Sequence, residues 1–355
     1  MNIGVITHYN YFNYGNRLQN LATQMILENL GHKVHNLVVA PHPLLKPVNK
    51  VVPAVFPYHL GGRWRAFMRF TQNFLPNTDV IDGKSMKALG AKYGNLDAVM
   101  IGSDQTWNPA FIHNKNHVFA KFVPKEKRLS FATSFGITQI PQKHKKDFEA
   151  ALKEIKNISV RETAGAEIVK RLTGKSCPVL LDPTLVISKT QWQQLANKSP
   201  TIVPKEKYIF SYFLHNKPAW KKWMKNFAKA HGLKIVNVNK YFGKHFTTDP
   251  LGFIKLLMNA EIVFTSSFHG HAFSVCLEKP FVSFPVPNTT NSRISTLLKL
   301  TGLEHRHYKA IDQSNPFEID FTATRTILDS ARGQAINYLQ NTLAEIEGTS
   351  NDSNQ

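Results

Sequence analysis

Cysteine is almost absent from this chain: Cys177 and Cys276 are the only two among 355 residues. They stand far apart in apolar surroundings. That excludes a disulfide scaffold and any zinc-finger spacing, and it points to a reducing, cytoplasmic compartment. Acidic residues are also scarce, 24 Asp plus Glu against 44 Lys plus Arg, for a formal net charge of +20. None occurs between residues 29 and 78, whereas Lys33, Lys46, Lys50, Arg63, Arg65 and Arg69 all fall there. No apolar run reaches the ~18 residues of a membrane-spanning helix. The first residues, Met-Asn-Ile-Gly-Val-Ile-Thr, lack the basic and long apolar regions of a signal peptide. What is present is ordinary for a globular protein, 42% hydrophobic and 19% charged residues, at a length that favours two domains. The excess positive charge calls for nucleic acid, a membrane surface or a phosphorylated small molecule, unless it is simply a solvated basic face.

The chain alternates strand and helix patterns. Residues 2–7 read as a buried strand, residues 16–30 as a helix with Leu18, Leu21, Ala22, Met25 and Ile26 on one stripe, and residues 33–39 as the next strand. This is a right-handed βαβ unit of a parallel sheet. Further strands are expected at 97–101, 129–133, 158–161 and 179–181. The polar, proline-bearing stretch 197–207 reads as a linker. Strands then recur at 208–213, 234–238, 261–265 and 281–284, with helices at 218–231, 251–259, 271–277 and 292–300. The expected organisation is an N-terminal domain over 1–196, with a basic insertion at 41–80. A linker over 197–207, a C-terminal domain over 208–321, a long helix over 322–346 and a disordered tail over 347–355 complete it. The expected class is α/β, two Rossmann-like doubly wound domains facing across a cleft.

Within the insertion, Pro41, Pro43, Pro47, Pro53 and Pro57 exclude a long helix, after which Trp64, Phe67, Met68, Thr71, Phe74 and Leu75 recur at helical spacing. With Arg63, Arg65 and Arg69 beside that stripe, residues 60–75 suit a peripheral membrane contact, or a helix packed onto its own domain.

Three polar clusters sit at expected strand ends, where parallel sheets build their sites. Asn16 and Arg17 follow Gly15 after the first strand, fit to meet an anion or, in the case of Asn16, to cap a helix. Ser103, Asp104, Gln105 and Trp107 follow the strand 97–101. Asp104 and Gln105 suit sugar hydroxyls and Trp107 a sugar ring, with Asp104 as a helix cap the alternative. Ser266, Ser267, His269 and Gly270 follow the strand 261–265. Their small side chains leave room for a phosphate, beside an imidazole able to move a proton. No Gly-x-Gly-x-x-Gly, Walker loop or Gly-x-Ser-x-Gly elbow is present, and His269 with His271 lacks further metal-ligand neighbours, so no metal is expected.

Six short motifs then recur in family order: residues 13–20, Gly-Ser-Asp-Gln-x-Trp-Asn at 102–108, Phe-Ala-Thr-Ser-Phe-Gly at 131–136, Ser-Val-Arg-Glu at 159–162, Leu-Asp-Pro-Thr-Leu at 181–185 and Ser-Phe-His-Gly at 267–270. Over residues 1–303 the sequence resembles the polysaccharide pyruvyl transferase family. The resemblance implies a GT-B-like fold and transfer of a pyruvyl group from phosphoenolpyruvate to sugar hydroxyls, giving a ketal without a cofactor or metal. It implies His269 as acid/base or phosphate ligand. Arg161 and Arg293, with Ser266, Ser267 and Gly270, would form the donor site, unless either arginine makes an interdomain salt bridge. Asn16, Arg17, Ser103, Asp104, Gln105 and Trp107 would face the acceptor, a glycan or lipid-linked sugar of a cell-surface polysaccharide precursor. In one departure from the family pattern, Ser267-Phe268 stands where an Arg often precedes the His. A sugar-nucleotide glycosyltransferase and a non-catalytic glycan-binding protein are the alternatives. Nucleic acid is not expected as a partner, because the longest basic run is Lys143-His144-Lys145-Lys146.

Overall fold

The computed structural model describes residues 1–8, 12–39, 60–112, 114–215, 217–284, 292–311 and 315–352. The proline-rich stretch of the expected insertion, and the last residues of the expected tail, lie outside the described residues. The chain divides into two compact units, one of Met1–Val48, Thr71–Val186 and Asp329–Gln355, the other of Asn49–Phe70 and Ile187–Leu328.

The first unit holds a parallel sheet of β1 (Asn2–His8), β2 (Lys33–Val39), β3 (Thr78–Val80), β4 (Ala98–Ile101) and β5 (Arg128–Ser130), in the order β3-β2-β1-β4-β5. β1 is central because Ile3, Val5 and Ile6 leave nothing for solvent on either face. It pairs in register with β2 (Ile3 to Val34) and with β4 (Ile3 to Ala98), so the strand order reverses between β1 and β4. Of the further expected strands, 158–161 and 179–181 are reduced to single bridges, Thr133 to Val160 and Val160 to Val179. Pro178, whose nitrogen cannot donate, interrupts the ladder there. Trp107, Phe119, Phe135 and Phe148 form an aromatic centre in this unit's core, none more than 1% exposed.

The second unit repeats the design with β6 (Tyr208–Tyr212), β7 (Lys234–Asn237), β8 (Ile262–Thr265) and β9 (Phe281–Ser283), ordered β7-β6-β8-β9. Its strand order reverses between β6 and β8. The helix Pro218–Ala230 buries Trp220, Met224 and Phe227 against Ile209, Phe264 and Phe284. Each such side chain contributes roughly 1.5–3 kcal/mol when fully withdrawn from water.

Three expectations about organisation change. The change of unit falls at Val186 and Ile187, and the polar stretch 197–207 belongs to the second unit. Ser199 Oγ donates to Asp249 Oδ2 at 2.5 Å and Lys255 Nζ donates to the Ser199 carbonyl at 2.9 Å, so the stretch is tied down. The terminal helix runs Thr322–Asp352, past residue 346, with Thr349 Oγ1 donating to the Glu345 carbonyl.

The third concerns residues 60–75. The helix Leu60–Phe74 turns much of its stripe inward: Phe67 and Thr71 are buried, as are Phe70 beside them and Leu75 just past the helix end. Arg63 is buried too. Its Nη1 donates to the carbonyls of Val238 (2.7 Å) and Phe246 (3.2 Å), its Nη2 to Asn239 Oδ1 (3.1 Å), and its guanidinium lies 4.7 Å from the Phe246 ring centroid. Of the remaining stripe residues Trp64, Met68 and Phe74 are half-buried, and Arg65 and Arg69 are exposed, so much of the apolar face is covered by protein. Among the described residues no helix is long and apolar enough to cross a membrane.

Candidate functional site

In the first unit the C-terminal ends of β1 and β4 carry a buried polar network. The helix Tyr14–Asn29 begins after Asn13, whose side chain accepts from the Asn16 N–H at 3.1 Å. Asn13, not Asn16, is therefore the cap, and the Asn16 side chain is left to reach across. Its Nδ2 donates to Asp104 Oδ2 at 3.2 Å, and its Oδ1 accepts from Arg17 Nη1 at 3.5 Å. Asp104 does not cap a helix. It sits at φ +67, bridged to Thr133, a conformation costly for a residue with a Cβ and sustained here by its partners.

The chief partner is Arg161. Its Nη2 donates to Asp104 Oδ1 at 3.1 Å and its Nη1 to Asp182 Oδ2, with no part of its side chain exposed. Burial alone would lower the guanidinium pKa, but the Asp182 and Asp104 carboxylates outweigh it and raise it. Asp182 also accepts from Ser103 Oγ at 3.1 Å, from the Thr184 N–H at 2.9 Å and from Thr184 Oγ1 at 2.7 Å. Arg161 is thus enclosed within its own unit, its guanidinium held between Asp182 and Asp104.

Trp107 is no sugar platform. Its indole is fully buried, donates from Nε1 to the Val118 carbonyl at 3.3 Å and stacks on Phe119 at 5.7 Å. Gln105 is half-buried, its Oε1 accepting from Asn108 Nδ2 at 2.7 Å. A Cβ on Gly136 would stand 2.0 Å from that oxygen and displace the Gln105 side chain, and at φ +63 any side chain there is strained. Beside it, Glu162 Oε1 accepts from Ser134 Oγ and from the N–H groups of Phe135 and Gly136, pinning that turn.

In the second unit Ser266, Ser267, His269 and Gly270 gather at the end of β8. The helix starts at Phe268 rather than at 271, so His269 and Gly270 belong to its first turn. Ser267, extended at φ −94 and ψ 137, occupies the cap position without a side-chain cap bond. A Cβ on Gly270 would stand 2.1 Å from Thr265 Oγ1, so glycine is what lets the helix start this close to β8. Ser266 Oγ accepts from the Leu214 N–H at 3.2 Å. Arg293 lies in the first turn of the helix Ser292–Thr301, which packs on the helix Phe268–Cys276.

His271 was not among the expected site residues, yet it braces this corner. Its Nδ1 lies 2.7 Å from the Ser267 carbonyl and its Nε2 2.8 Å from Ser283 Oγ. The carbonyl can only accept, so Nδ1 carries the proton and Nε2 accepts from the serine. Burial pushes its pKa down to about 4, keeping the ring neutral. Asp182 and Thr184 were missed as well, although Asp-Pro-Thr carries the signal of a capped turn with proline at the first helical position. Both cysteines are free thiols. Among the described residues no group of three His, Cys, Asp or Glu side chains is placed to hold a metal ion.

Two parallel-sheet units in one chain, each with polar residues gathered at the carboxyl ends of strands beside its order reversal, define an α/β protein of the GT-B-like class with a long C-terminal helix. The UDP-N-acetylglucosamine 2-epimerase from Rickettsia bellii is similar in fold at 9% identity, over 98% of this chain and 97% of that one, with a TM-score of 0.50. The UDP-GlcNAc 2-epimerase from Neisseria meningitidis (11% identity, 93% and 99% covered, TM-score 0.47) and MurG from Acinetobacter baumannii (10%, 98% and 100%, 0.43) also match. No curated protein matches the sequence. The family model described as polysaccharide pyruvyl transferase matches residues 13–288, and the chain belongs to that family.

Proposed function

We propose that the protein transfers the pyruvyl group of phosphoenolpyruvate to two hydroxyls of a polysaccharide precursor in the cytoplasm. The observation that carries this reading is the first turn of the helix Phe268–Cys276. It follows β8 beside the strand reversal, has no side-chain cap from Ser267, and carries His269 at its second position. A helix N-terminus of this kind suits a phosphate, and Arg293 in the first turn of a helix packed on it suits a second anionic group.

The chemistry asks for little more. The methylene carbon of the donor gains a proton, and one sugar hydroxyl attacks the neighbouring carbon. The C–O bond to phosphate breaks, and the second hydroxyl attacks to close the ketal. One hydroxyl proton ends on the new methyl group and the other leaves with phosphate, so the exchange balances. His269 is the acid/base group of this scheme. Ser266, Ser267 and Gly270 leave room for the phosphate, and Asn16, Asp104 and Gln105 orient the acceptor, with Arg161 holding Asp104 in place.

One observation favours a second reading, a sugar-nucleotide donor: Phe268, not an arginine, precedes His269. Thermal-shift titration separates the two. A rise in melting temperature with phosphoenolpyruvate, lost in His269→Asn, supports pyruvyl transfer. A rise with a nucleoside-diphosphate sugar and none with phosphoenolpyruvate overturns it.

A further inference from the structure

Residues 207–248 include nine lysines and no acidic residue. Lys221, Lys222, Lys225 and Lys229 are exposed on the helix Pro218–Ala230, whose opposite face is buried. Beyond β7, exposed Lys240 and Lys244 flank Tyr241 and Phe242, which are 42% and 71% exposed. The backbone makes this tip deliberate. The Gly243 N–H donates to the Lys240 carbonyl at 2.8 Å, closing a four-residue turn with Phe242 in its third place at φ +61. Turns of that shape ordinarily put glycine or asparagine there, because a bulky side chain is strained.

The base of the loop is held while its tip projects. Buried Arg63 ties the carbonyls of Val238 and Phe246 on either side of the tip. Tyr241 meets Phe246 edge-on at 5.1 Å and Phe242 at 4.2 Å. Asn239 Nδ2 donates to the Phe213 carbonyl at 3.4 Å, joining this loop to the one after β6, where Leu214 is 51% exposed. In a parallel sheet both loops leave the same edge. Leu214, Tyr241, Phe242, Lys240 and Lys244 therefore share one border of the second unit.

We propose that this border docks on an anionic lipid bilayer, with Tyr241 and Phe242 at headgroup depth and the lysines among the phosphates. The tip is exposed and flanked by charge of one sign. Aromatic rings between lysines are the side chains that settle at a membrane interface. A carbohydrate platform would more naturally bring carboxylates to bind hydroxyls, and this segment has none. The proposal does not depend on which donor the protein uses.

Sedimentation of the full chain with vesicles tests it, using phosphatidylcholine alone and phosphatidylcholine with a minor share of phosphatidylglycerol. The wild type is expected to pellet with the anionic vesicles and stay in solution with the neutral ones. Lys240→Ser/Lys244→Ser should lower partitioning about tenfold or more and weaken its salt dependence. Phe242→Gly should also lower it about tenfold, and since that change relieves backbone strain, an intact melting transition rules out misfolding as the cause. Failure of the wild type to bind anionic vesicles, or Phe242→Gly pelleting like the wild type, overturns the proposal. So does a variant that keeps vesicle binding but loses affinity for a soluble oligosaccharide, which would make the border a carbohydrate platform.

Discussion

Arg161 joins Asp104 to Asp182 through the two ends of one guanidinium, with neither Arg161 nor Asp182 exposing any of its side chain. Asp182 gathers Ser103 and Thr184, and Asp104 holds Asn16. The arginine is thus the cross-piece of a network spanning the ends of β1 and β4.

Arg161→Ala leaves two carboxylates facing each other without their counter-charge. The expected loss is about 3–5 kcal/mol of stability. Arg161→Lys keeps the charge but not the fork, and should lose less. Urea unfolding of both variants measures this, and a loss below about 1 kcal/mol for the alanine variant would refute the cross-piece role.

Trp107→Ala should cost about 3–5 kcal/mol, whereas Trp107→Phe keeps most of the packing. Calorimetry of the two variants distinguishes a core indole from a sugar platform. A platform would leave Trp107→Ala nearly as stable as the wild type.

Gly270→Ala drives a methyl group into Thr265 Oγ1 and pushes the first turn of the helix away from β8. Overpacking of this kind costs about 1–3 kcal/mol. Because His269 rides on that turn, the thermal shift expected from the proposed phosphoenolpyruvate donor should fall with it. Unchanged melting and unchanged shift would mean the corner yields freely.

His271 makes stability depend on pH. Unfolded, the ring takes a proton near its ordinary 6.5, but in the folded protein only near 4, so between those values the unfolded chain binds more protons. Stability from this group is complete above about pH 6.5 and drains away as pH falls toward about 4, on the order of 3 kcal/mol in all. Urea midpoints of the wild type should fall across that window more steeply than those of His271→Gln. Parallel curves would rule the histidine out as the source.

Phe242→Gly should stabilise the protein by about 1 kcal/mol, because a left-handed backbone costs a bulky residue about that much or more. Thermal melting reads it directly. A lower melting temperature would mean the phenyl ring packs more than it strains.

The alternation of buried strands and one-sided helices made the fold class legible, since runs such as Tyr-Ile-Phe-Ser-Tyr in β6 suit a strand buried on both faces. Strand ends also marked where polar residues collect. What they face was not legible. Ser103 and Asp182 meet across 79 positions, and nothing local distinguishes an arginine aimed at a ligand from Arg161 aimed at two carboxylates. Helical spacing likewise located the stripe of Phe67 and Thr71, but not the side that covers it. His269 and Gly270 were found at their strand end, while the earlier start of their helix depends on Gly270 fitting against Thr265, a matter of tertiary space.

The first unit also takes back residues from the far end of the chain. Tyr338 donates its hydroxyl proton to the Ser130 carbonyl at 3.0 Å, and Glu345 receives Lys156 and Asn157. During synthesis, at roughly 5–20 residues per second, the ribosome finishes the second unit's sequence before supplying these closing contacts. For some ten seconds or more the nascent first unit lacks the helix that completes it. Its open side is then the surface a chaperone would meet, and translation of the stretch from Asp329 onward sets when the unit closes.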